Sequence, residues 1–249
     1  MRIALMIVAT LAVSTQALGS RAANSYAAYK PLATTSEGKS CAVPADLPKP
    51  MLEGPTRDEP RRLLPIGGYT LSVSWSPQYC ASRMTSPKDH LQCGGAVGEF
   101  GFTLHGLWPD GVAEKWPQYC TPARLVPDAV IRDNLCNTPS VQLIQHEWEK
   151  HGTCMGHDPA PFFRKGSGLY RALHFPDMAP FRGKTVAALT FQQAFAAANK
   201  GLRADQMRLN VGKDGWLQEV WLCLDTAFHY RTCPATQGGA APAAAVKIR

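Results

Sequence analysis

Eight cysteines limit what this chain can fold into more than any other feature of its sequence. They are spread over most of its 249 residues, as Cys41, Cys80, Cys93, Cys120, Cys136, Cys154, Cys223 and Cys233. No two of them form a C-x-x-C pair, which is the usual spacing of a structural zinc site. An even number of cysteines in an exported chain predicts a fold stapled by disulfides, and the spacing leaves on the order of a hundred pairings open.

The first residues of the chain support export. One arginine, Arg2, precedes an apolar run over 3–13, and small residues follow. This order is typical of a secretory signal peptide, which we assign to residues 1–22, with cleavage after Ala17 or Ala22. A buried N-terminal helix is the alternative. The run is about half of what a membrane-spanning helix needs, so we expect a secreted or periplasmic protein without a membrane partner.

The charge of the chain is positive, with a formal value of +7 at pH 7. Loss of Arg2, or of Arg2 and Arg21, with the leader would leave +6 or +5. Such a balance suits RNA, an anionic membrane surface or an acidic glycan, but it can also serve solubility alone. The positive charge alone therefore does not identify the binding partner.

After the leader the sequence divides into three parts. Residues 23–65 are rich in proline and lack a hydrophobic period, so we expect an extended N-terminal arm. Residues 66–235 contain no linker and no internal repeat, and we expect them to form one domain. Residues 236–249 are dominated by small residues, which predicts a disordered tail.

Strand patterns occur at both ends of this domain. Large apolar and small polar residues alternate over Tyr69–Trp75, which predicts a half-buried strand, and a second strand is expected at 100–104. Near the other end, two apolar stretches flank Asp214 and Gly215. Asp-Gly is a favoured hairpin turn, so these stretches are expected to form two joined strands.

Helical patterns lie between the strands. A helix is expected over Val141–His151, with Ser140 as its N-terminal cap and Gly152 at its end. A second helix is expected over 190–199, opened by a capping box. Strands and helices are mixed without a strict β-α-β alternation, which favours the α+β class.

Two segments stand out as carriers of chemistry. FTLHGLWPD, residues 102–110, follows a predicted strand, and HEWEKHGTC, residues 146–154, closes a predicted helix. At about 100° per residue, one arc of that helix presents His146, Glu147, Lys150 and His151. A different stripe, made by Val141, Ile144 and Trp148, would pack on the core. Convergence of titratable groups on one arc is typical of an active site.

A metal site is the alternative for these histidines. Zinc-protease histidines are four residues apart and share one helix face. His146 and His151 are five apart, about 140° around the helix, and Lys150 between them would repel a metal ion. We therefore expect neither metal nor cofactor. A solvated helix end would explain Glu147 and Lys150 but not the two histidines.

A pair of histidines suits one reaction in particular. Cleaving RNA through its own 2′-hydroxyl needs a base to remove the hydroxyl proton and an acid to protonate the departing 5′-oxygen. The transition state collects negative charge, which a fixed cation stabilises. The helix supplies one histidine and a lysine, and His105 of the first segment is the candidate for the second histidine.

At these residues a resemblance is evident. FTLHGLWPD and HEWEKHGTC resemble the two active-site segments of the ribonuclease T2 family of acid endoribonucleases, within a similarity that covers roughly 69–233. The resemblance implies an antiparallel sheet with helices packed on it. It also implies metal-independent cleavage of single-stranded RNA to 2′,3′-cyclic phosphate ends, followed by slower hydrolysis to 3′-phosphates.

The resemblance assigns a role to each matching residue. His105 and His151 match the acid–base pair, with His151 favoured as the base of the first step. His146 matches a phosphate-binding histidine, and Glu147 and Lys150 match transition-state stabilisers. In the substrate-binding site, Trp108 would stack on a base and Asp110 would accept its hydrogen bonds, while Trp116 either completes this site or is a core aromatic.

The resemblance also implies a disulfide between Cys120 and Cys154, which would join the two catalytic segments. With it we expect three further bridges: Cys80–Cys93, Cys223–Cys233 and Cys41–Cys136. We expect a monomer that acts on RNA and not on DNA. Two rivals are an exported RNA-binding protein of the same fold without catalysis and a disulfide-rich carbohydrate-binding module, and neither needs all of the catalytic-type residues.

Overall fold

The computed structural model describes residues 39–95 and 97–249, so the leader and the first part of the arm lie outside the described residues. Four strands form an antiparallel sheet in the order β2-β1-β5-β4. A smaller antiparallel sheet pairs β3 with β6. The strands are β1 (Ile66–Trp75), β2 (Phe102–Gly111), β3 (Lys184–Ala187), β4 (Met207–Val211), β5 (Leu217–Leu224) and β6 (Ala245–Ile248).

In the described part of the chain, six α-helices accompany these strands. They are α1 (Ser76–Tyr79), α2 (His90–Cys93), α3 (Asp128–Asn134), α4 (Val141–Lys150), α5 (Pro159–Arg171) and α6 (Ala188–Ala197). Helix α5 packs on β1 and β2, and α6 packs on β4. Aromatic rings fill the space between them, where Phe102 of the sheet stacks on Phe175 and meets Phe195 of α6 edge-on. The α+β class with helices on an antiparallel sheet is confirmed.

The local patterns explain most of these elements. Val73 and Trp75 of β1 are fully buried, as the alternation predicts, but Thr70 and Ser72 are fully buried as well, so the prediction of a half-buried strand is wrong at these two residues. Helix α4 begins after Ser140, whose Oγ accepts a hydrogen bond from the Leu143 backbone N–H (3.2 Å). The hairpin around Gly215, between β4 and β5, is also confirmed.

Two element boundaries differ from the sequence prediction. Strand β2 continues to Gly111 rather than ending at Leu104, because its pairing with β1 compensates for the glycines and proline that weaken its local strand preference. Helix α6 begins at Ala188, and its N-terminus has no side-chain cap. The expected capping box at Thr190 is therefore wrong.

The described part of the arm, residues 39–65, contains no helix and lies against the domain. A disulfide joins Cys41 to Cys136, next to α3. Further along, Arg62 pairs with Gln118 in a short antiparallel bridge. These contacts hold the arm in place without regular secondary structure.

The prediction of a disordered tail over 236–249 is wrong. Strand β6 pairs with β3, and its residues Val246 and Ile248 are completely buried. The Trp75 indole N–H donates to the carbonyl oxygen of Arg249 (3.0 Å). The many small residues in this segment obscured a short apolar–polar alternation that includes Lys247, and this alternation forms the strand.

Candidate functional site

A cleft of about 530 Å³ opens where β2 faces α4. It is lined by all eight side chains that the sequence analysis selected: His105, Trp108, Asp110, Trp116, His146, Glu147, Lys150 and His151. These residues come from β2, from the loop that follows it, and from the C-terminal half of α4 and the residue after it. The fold therefore brings the two conspicuous sequence segments together as opposite walls of one cleft.

A β-bulge at His105 shapes the first wall. Strand β1 pairs with Leu104 on one side of the bulge and with Gly106 on the other, so His105 is an extra residue in β2. Because of this extra residue, Leu104 and Leu107 are both buried in the core, while His105 and Trp108 both face the cleft. Bulges commonly re-aim a side chain beside an active site in this way.

The ring of His105 lies between two carboxylates. Its Nδ1 hydrogen-bonds to Glu219 Oε1, and its Nε2 lies 3.5 Å from Glu147 Oε1. Burial disfavours the charged ring, but the hydrogen bond to Glu219 and the charges of both carboxylates outweigh it and raise the pKa of His105. His105 therefore holds its proton more tightly than a free histidine does.

Sequence reasoning missed Glu219, a residue of β5. Its carboxylate accepts hydrogen bonds from Ser74 Oγ (3.0 Å), Asn210 Nδ2 (3.0 Å) and Trp221 Nε1 (2.8 Å). Burial opposes ionisation, but His105, followed by the hydrogen bonds from Asn210 and Trp221, lowers the pKa of Glu219 to about 2. The available signal was a single acidic residue inside the apolar strand LQEVWLCL, because a buried carboxylate in a strand requires partners.

Glu147 reaches the cleft from α4 and is almost completely buried. Its Oε2 accepts a hydrogen bond from the Trp108 indole N–H (2.9 Å), and burial raises its pKa. Gly106 makes room for this carboxylate, since a Cβ atom at that position would lie 1.8 Å from Glu147 Oε2. The absent side chain in the first segment thus lets the second segment close against it.

His151 follows α4 directly and has surroundings opposite to those of His105. It is 6% exposed, and its Nδ1 has no hydrogen-bond partner among the described residues. The ring packs on Trp108, with centroids 5.6 Å apart. Burial, followed by the positive charges of Lys150 and His146, lowers the pKa of His151 well below its ordinary value. The neutral ring is therefore the favoured form.

Two further cleft side chains, both from α4, contact the arm. His146 Nδ1 lies 2.5 Å from Glu53 Oε2, and Lys150 Nζ lies 2.5 Å from Glu59 Oε1. The arm is fastened here because the backbone N–H of Glu53 donates to Glu149 Oε2 (3.0 Å). Sequence reasoning missed both arm carboxylates, since an arm without a motif or period does not indicate which acidic residues will face α4.

The predicted base-binding residues differ in their surroundings. Asp110 accepts a hydrogen bond from Thr70 Oγ1 (3.0 Å) and lies 3.8 Å from Arg231 Nη2; burial raises its pKa. Trp116 is 45% exposed, with the Arg62 guanidinium 4.8 Å from its ring centroid. The alternative that Trp116 is a core aromatic is therefore wrong.

The two walls are joined below the cleft by the disulfide Cys120–Cys154. Beside it, the Tyr119 backbone N–H donates to the carbonyl of Lys150 (2.8 Å), and the Cys120 backbone N–H donates to Thr153 Oγ1 (3.1 Å). The bridge implied by the resemblance, Cys120–Cys154, and the three expected beside it are all present: Cys41–Cys136, Cys80–Cys93 and Cys223–Cys233.

Within residues 39–95 and 97–249, no group of three or more His, Cys, Asp or Glu residues is placed to hold a metal ion. In the same part of the chain, no helix has the length and apolar character needed to span a lipid bilayer.

Comparison with known proteins gives a consistent result. The model of the ribonuclease T2 family matches residues 66–233. A ribonuclease of Aeromonas hydrophila is 42% identical over 101 residues, which are 41% of this chain and 43% of that protein. A probable ribonuclease of Haemophilus influenzae is 29% identical over 182 residues, which cover 68% of this chain and 61% of that protein. The matches thus span less than two thirds of these two relatives.

Among solved structures, an RNase-related protein from Calystegia sepium superposes with a TM-score of 0.58 at 20% identity. The match covers 73% of this chain and 96% of that protein. At this identity the likeness concerns the fold alone.

Proposed function

This chain belongs to the ribonuclease T2 family, and on that premise we propose that it is an endoribonuclease. It cleaves single-stranded RNA by attack of the substrate's 2′-hydroxyl on the neighbouring phosphorus. The products are 2′,3′-cyclic phosphate ends, which the same site then hydrolyses more slowly to 3′-phosphates.

One observation carries the proposal: the cleft holds two histidines with opposite protonation preferences. Carboxylates beside His105 raise its pKa, whereas burial and neighbouring cations lower that of His151. General acid–base catalysis needs one charged and one neutral group at the same pH. These surroundings support His105 as the acid and His151 as the base of the first step.

In the first step, the two histidines transfer protons in opposite directions. Neutral His151 takes the proton of the 2′-hydroxyl while its oxygen forms a bond to phosphorus. The bond from phosphorus to the 5′-oxygen breaks, and His105 gives a proton to that oxygen. In the second step the roles reverse: His105 deprotonates water while the water oxygen forms a bond to phosphorus, the bond from phosphorus to the 2′-oxygen breaks, and His151 returns a proton to the 2′-oxygen.

Three further residues stabilise the charge that gathers on the phosphate oxygens. Lys150 supplies positive charge from α4, and His146 supplies a hydrogen-bond donor from the same helix. Glu147 is a buried carboxyl group with a raised pKa, so in acid it can hold a proton and donate it in a hydrogen bond to a phosphate oxygen. Trp108 and Asp110 bind a base of the substrate, with Trp116 at the exposed rim.

The same mechanism sets limits on partners and cofactors. DNA lacks the 2′-hydroxyl, so it is not a substrate. A metal ion is not required, because the nucleophile belongs to the substrate and two histidines transfer the protons. We further propose that the protein acts as a monomer after export, in the periplasm or outside the cell, where its disulfides are stable.

The test is product analysis on a defined oligoribonucleotide with and without excess chelator. We expect 2′,3′-cyclic ends early, 3′-phosphates later and equal rates with chelator. The same oligonucleotide with a 2′-O-methyl group at every position is the matched control and should remain intact. Cleavage of this control, or 5′-phosphate ends from the outset, would mean that water is the nucleophile.

A further inference from the structure

We propose that Glu219 is a positioning residue for this reaction: it fixes the His105 ring through Nδ1, so that Nε2 is the atom that transfers the proton. The inference rests on the proposed function for its catalytic consequence. The link between Glu219 and His105 itself requires no substrate and can be measured on the free protein.

The contact leaves only one arrangement of the His105 protons. An ionised carboxylate only accepts hydrogen bonds, so the Nδ1 that meets Glu219 Oε1 must carry a proton. The proton available for transfer is therefore the one on Nε2. After it leaves, the neutral ring keeps its proton on Nδ1, and Nε2 is ready to accept a proton from water in the second step.

Glu147 cannot take over this role, although it also faces His105. Its Oε1 approaches Nε2 at 3.5 Å, which is the nitrogen that must meet the substrate. A scissile phosphate bound there would displace this contact. Glu219 lies at the opposite nitrogen, where its contact with the ring can persist through both steps.

The sheet fixes Glu219 unusually well. Its direct cross-strand neighbours are Ser74 of β1 and Asn210 of β4, and both donate to the carboxylate at 3.0 Å. The Trp221 indole N–H supplies a further bond at 2.8 Å. Three adjacent strands thus hold one carboxylate in one orientation, on the face of the sheet that also carries the imidazole of His105.

The carboxylate also sets the charge of the ring. The groups that face His105 are Glu219 from β5, Glu147 and Lys150 from α4, and His151 after that helix. Lys150 and His151 can only disfavour a positive ring. Because the pKa of Glu147 is raised, its charge is the first of the two carboxylate charges to be lost in acid, and Glu219, with a pKa of about 2, is the one that persists.

The experiment compares wild type with Glu219→Gln, which keeps the shape of the side chain and removes its charge. NMR titration of the His105 ring in the free protein should give a lower pKa in the variant. The kcat on a dinucleotide should fall by about 10- to 100-fold with little change in KM, and the alkaline limb of the pH profile should move to lower pH. Glu114→Gln, which makes the same charge change on the cleft rim, should produce none of these three changes.

A second substrate separates positioning from a merely structural role. A nucleoside 3′-(4-nitrophenyl phosphate) has a leaving group that needs no proton, so the general acid is dispensable for it. Glu219→Gln should cleave this ester at a rate within a few-fold of wild type. An equal loss on both substrates, with an unchanged His105 titration, would overturn the proposal.

If Glu219→Gln does not fold, Glu219→Asp serves instead, because it keeps the charge but withdraws it from Nδ1. We expect an intermediate His105 pKa and an intermediate kcat. A His105 pKa equal to that of wild type in this variant would count against the proposal. If wild type does not cleave RNA, the proposed function fails. The titration still shows whether Glu219 sets the pKa of the His105 ring.

Discussion

His105 and His151 face the same cleft, yet their surroundings oppose each other. The His105 side chain is 29% exposed and lies between two carboxylates, whereas His151 is almost fully buried, and its Nδ1 has no partner among the described residues. Glu219 of the sheet and Glu147 of α4 supply negative charge to the first ring, whereas Lys150 of α4 supplies positive charge beside the second. The contrast teaches that a fold can assign opposite roles to identical side chains through their neighbours alone.

The largest expected effect comes from removing either ring. His105→Ala and His151→Ala should each lower kcat on RNA by at least ~10²-fold, the usual scale for a general acid or base. The nitrophenyl ester distinguishes the two variants. Because its leaving group needs no proton, the kcat of His105→Ala on this ester should approach that of wild type, whereas the kcat of His151→Ala should stay low. Thermal unfolding of both variants controls for folding. Rescue of His151→Ala instead would reverse the acid and base assignment.

Replacement of Lys150 should have the next largest effect. Lys150→Ala should lower kcat by about 10²–10³-fold, because it removes a cation aimed at the transition state. Its charge also lowers the pKa of His151, so the acid limb of the pH profile should move to higher pH.

The direction in which each limb of the pH profile shifts follows from the role of the ring concerned. Activity falls as pH drops through the lowered pKa of the base His151, and it falls as pH rises through the raised pKa of the acid His105. The two limbs are apparent values of a coupled pair. Lys150→Arg is the matched control, since it keeps the charge and should leave the acid limb in place. A shift of equal size in both variants would contradict the electrostatic explanation.

Trp108 touches both rings and should have a smaller effect. Its centroid lies 5.0 Å from that of His105 and 5.6 Å from that of His151. Trp108→Ala should raise KM by an amount that corresponds to about 1–3 kcal/mol, the usual value of one stacked base. Trp108→Phe keeps a stacking surface but loses the hydrogen bond to Glu147, so its defect should fall on kcat. Steady-state kinetics on a dinucleotide would separate the two; an unchanged KM in Trp108→Ala would exclude stacking.

The smallest expected effect concerns the arm. The Glu59 side chain is 45% exposed, and an exposed ion pair is weak and screened by salt. Glu59→Gln should free the charge of Lys150 for the substrate and lower KM by about two- to fivefold at low ionic strength. The difference should vanish in high salt. A loss of kcat comparable with that of Lys150→Ala would mean that the arm is part of the catalytic apparatus.

The helix and strands with strong local periods were predictable, and so were the eight cleft residues. Helix α4 carries its cap at Ser140 and its polar arc within a short segment, so the sequence contains the information needed to place them. Residues whose function depends on a distant partner were not predictable. Glu219 lies 114 residues from His105, and only the antiparallel pairing of β1 with β5 brings it near.

The bulge in β2 and the last strand were not predicted from the sequence, for related reasons. The alternation of a strand predicts its two faces only while the register is regular, and the extra residue at His105 interchanges them. Strand β6 is short, and it is held by pairing with β3 and by a bridge between Lys247 and Trp216. In both places tertiary pairing decides a structure that the local sequence leaves undetermined.

The disulfide between Cys120 and Cys154 makes assembly of the cleft depend on an oxidant. It closes a loop across 34 residues, a constraint on the unfolded chain worth roughly 3–4 kcal/mol in the loop-entropy picture. A newly made chain in a reducing cytosol lacks this constraint and holds its catalytic walls together less firmly. Under the proposed function and export, this dependence would keep the nuclease incomplete in the reducing cytosol, and oxidation after export would complete it.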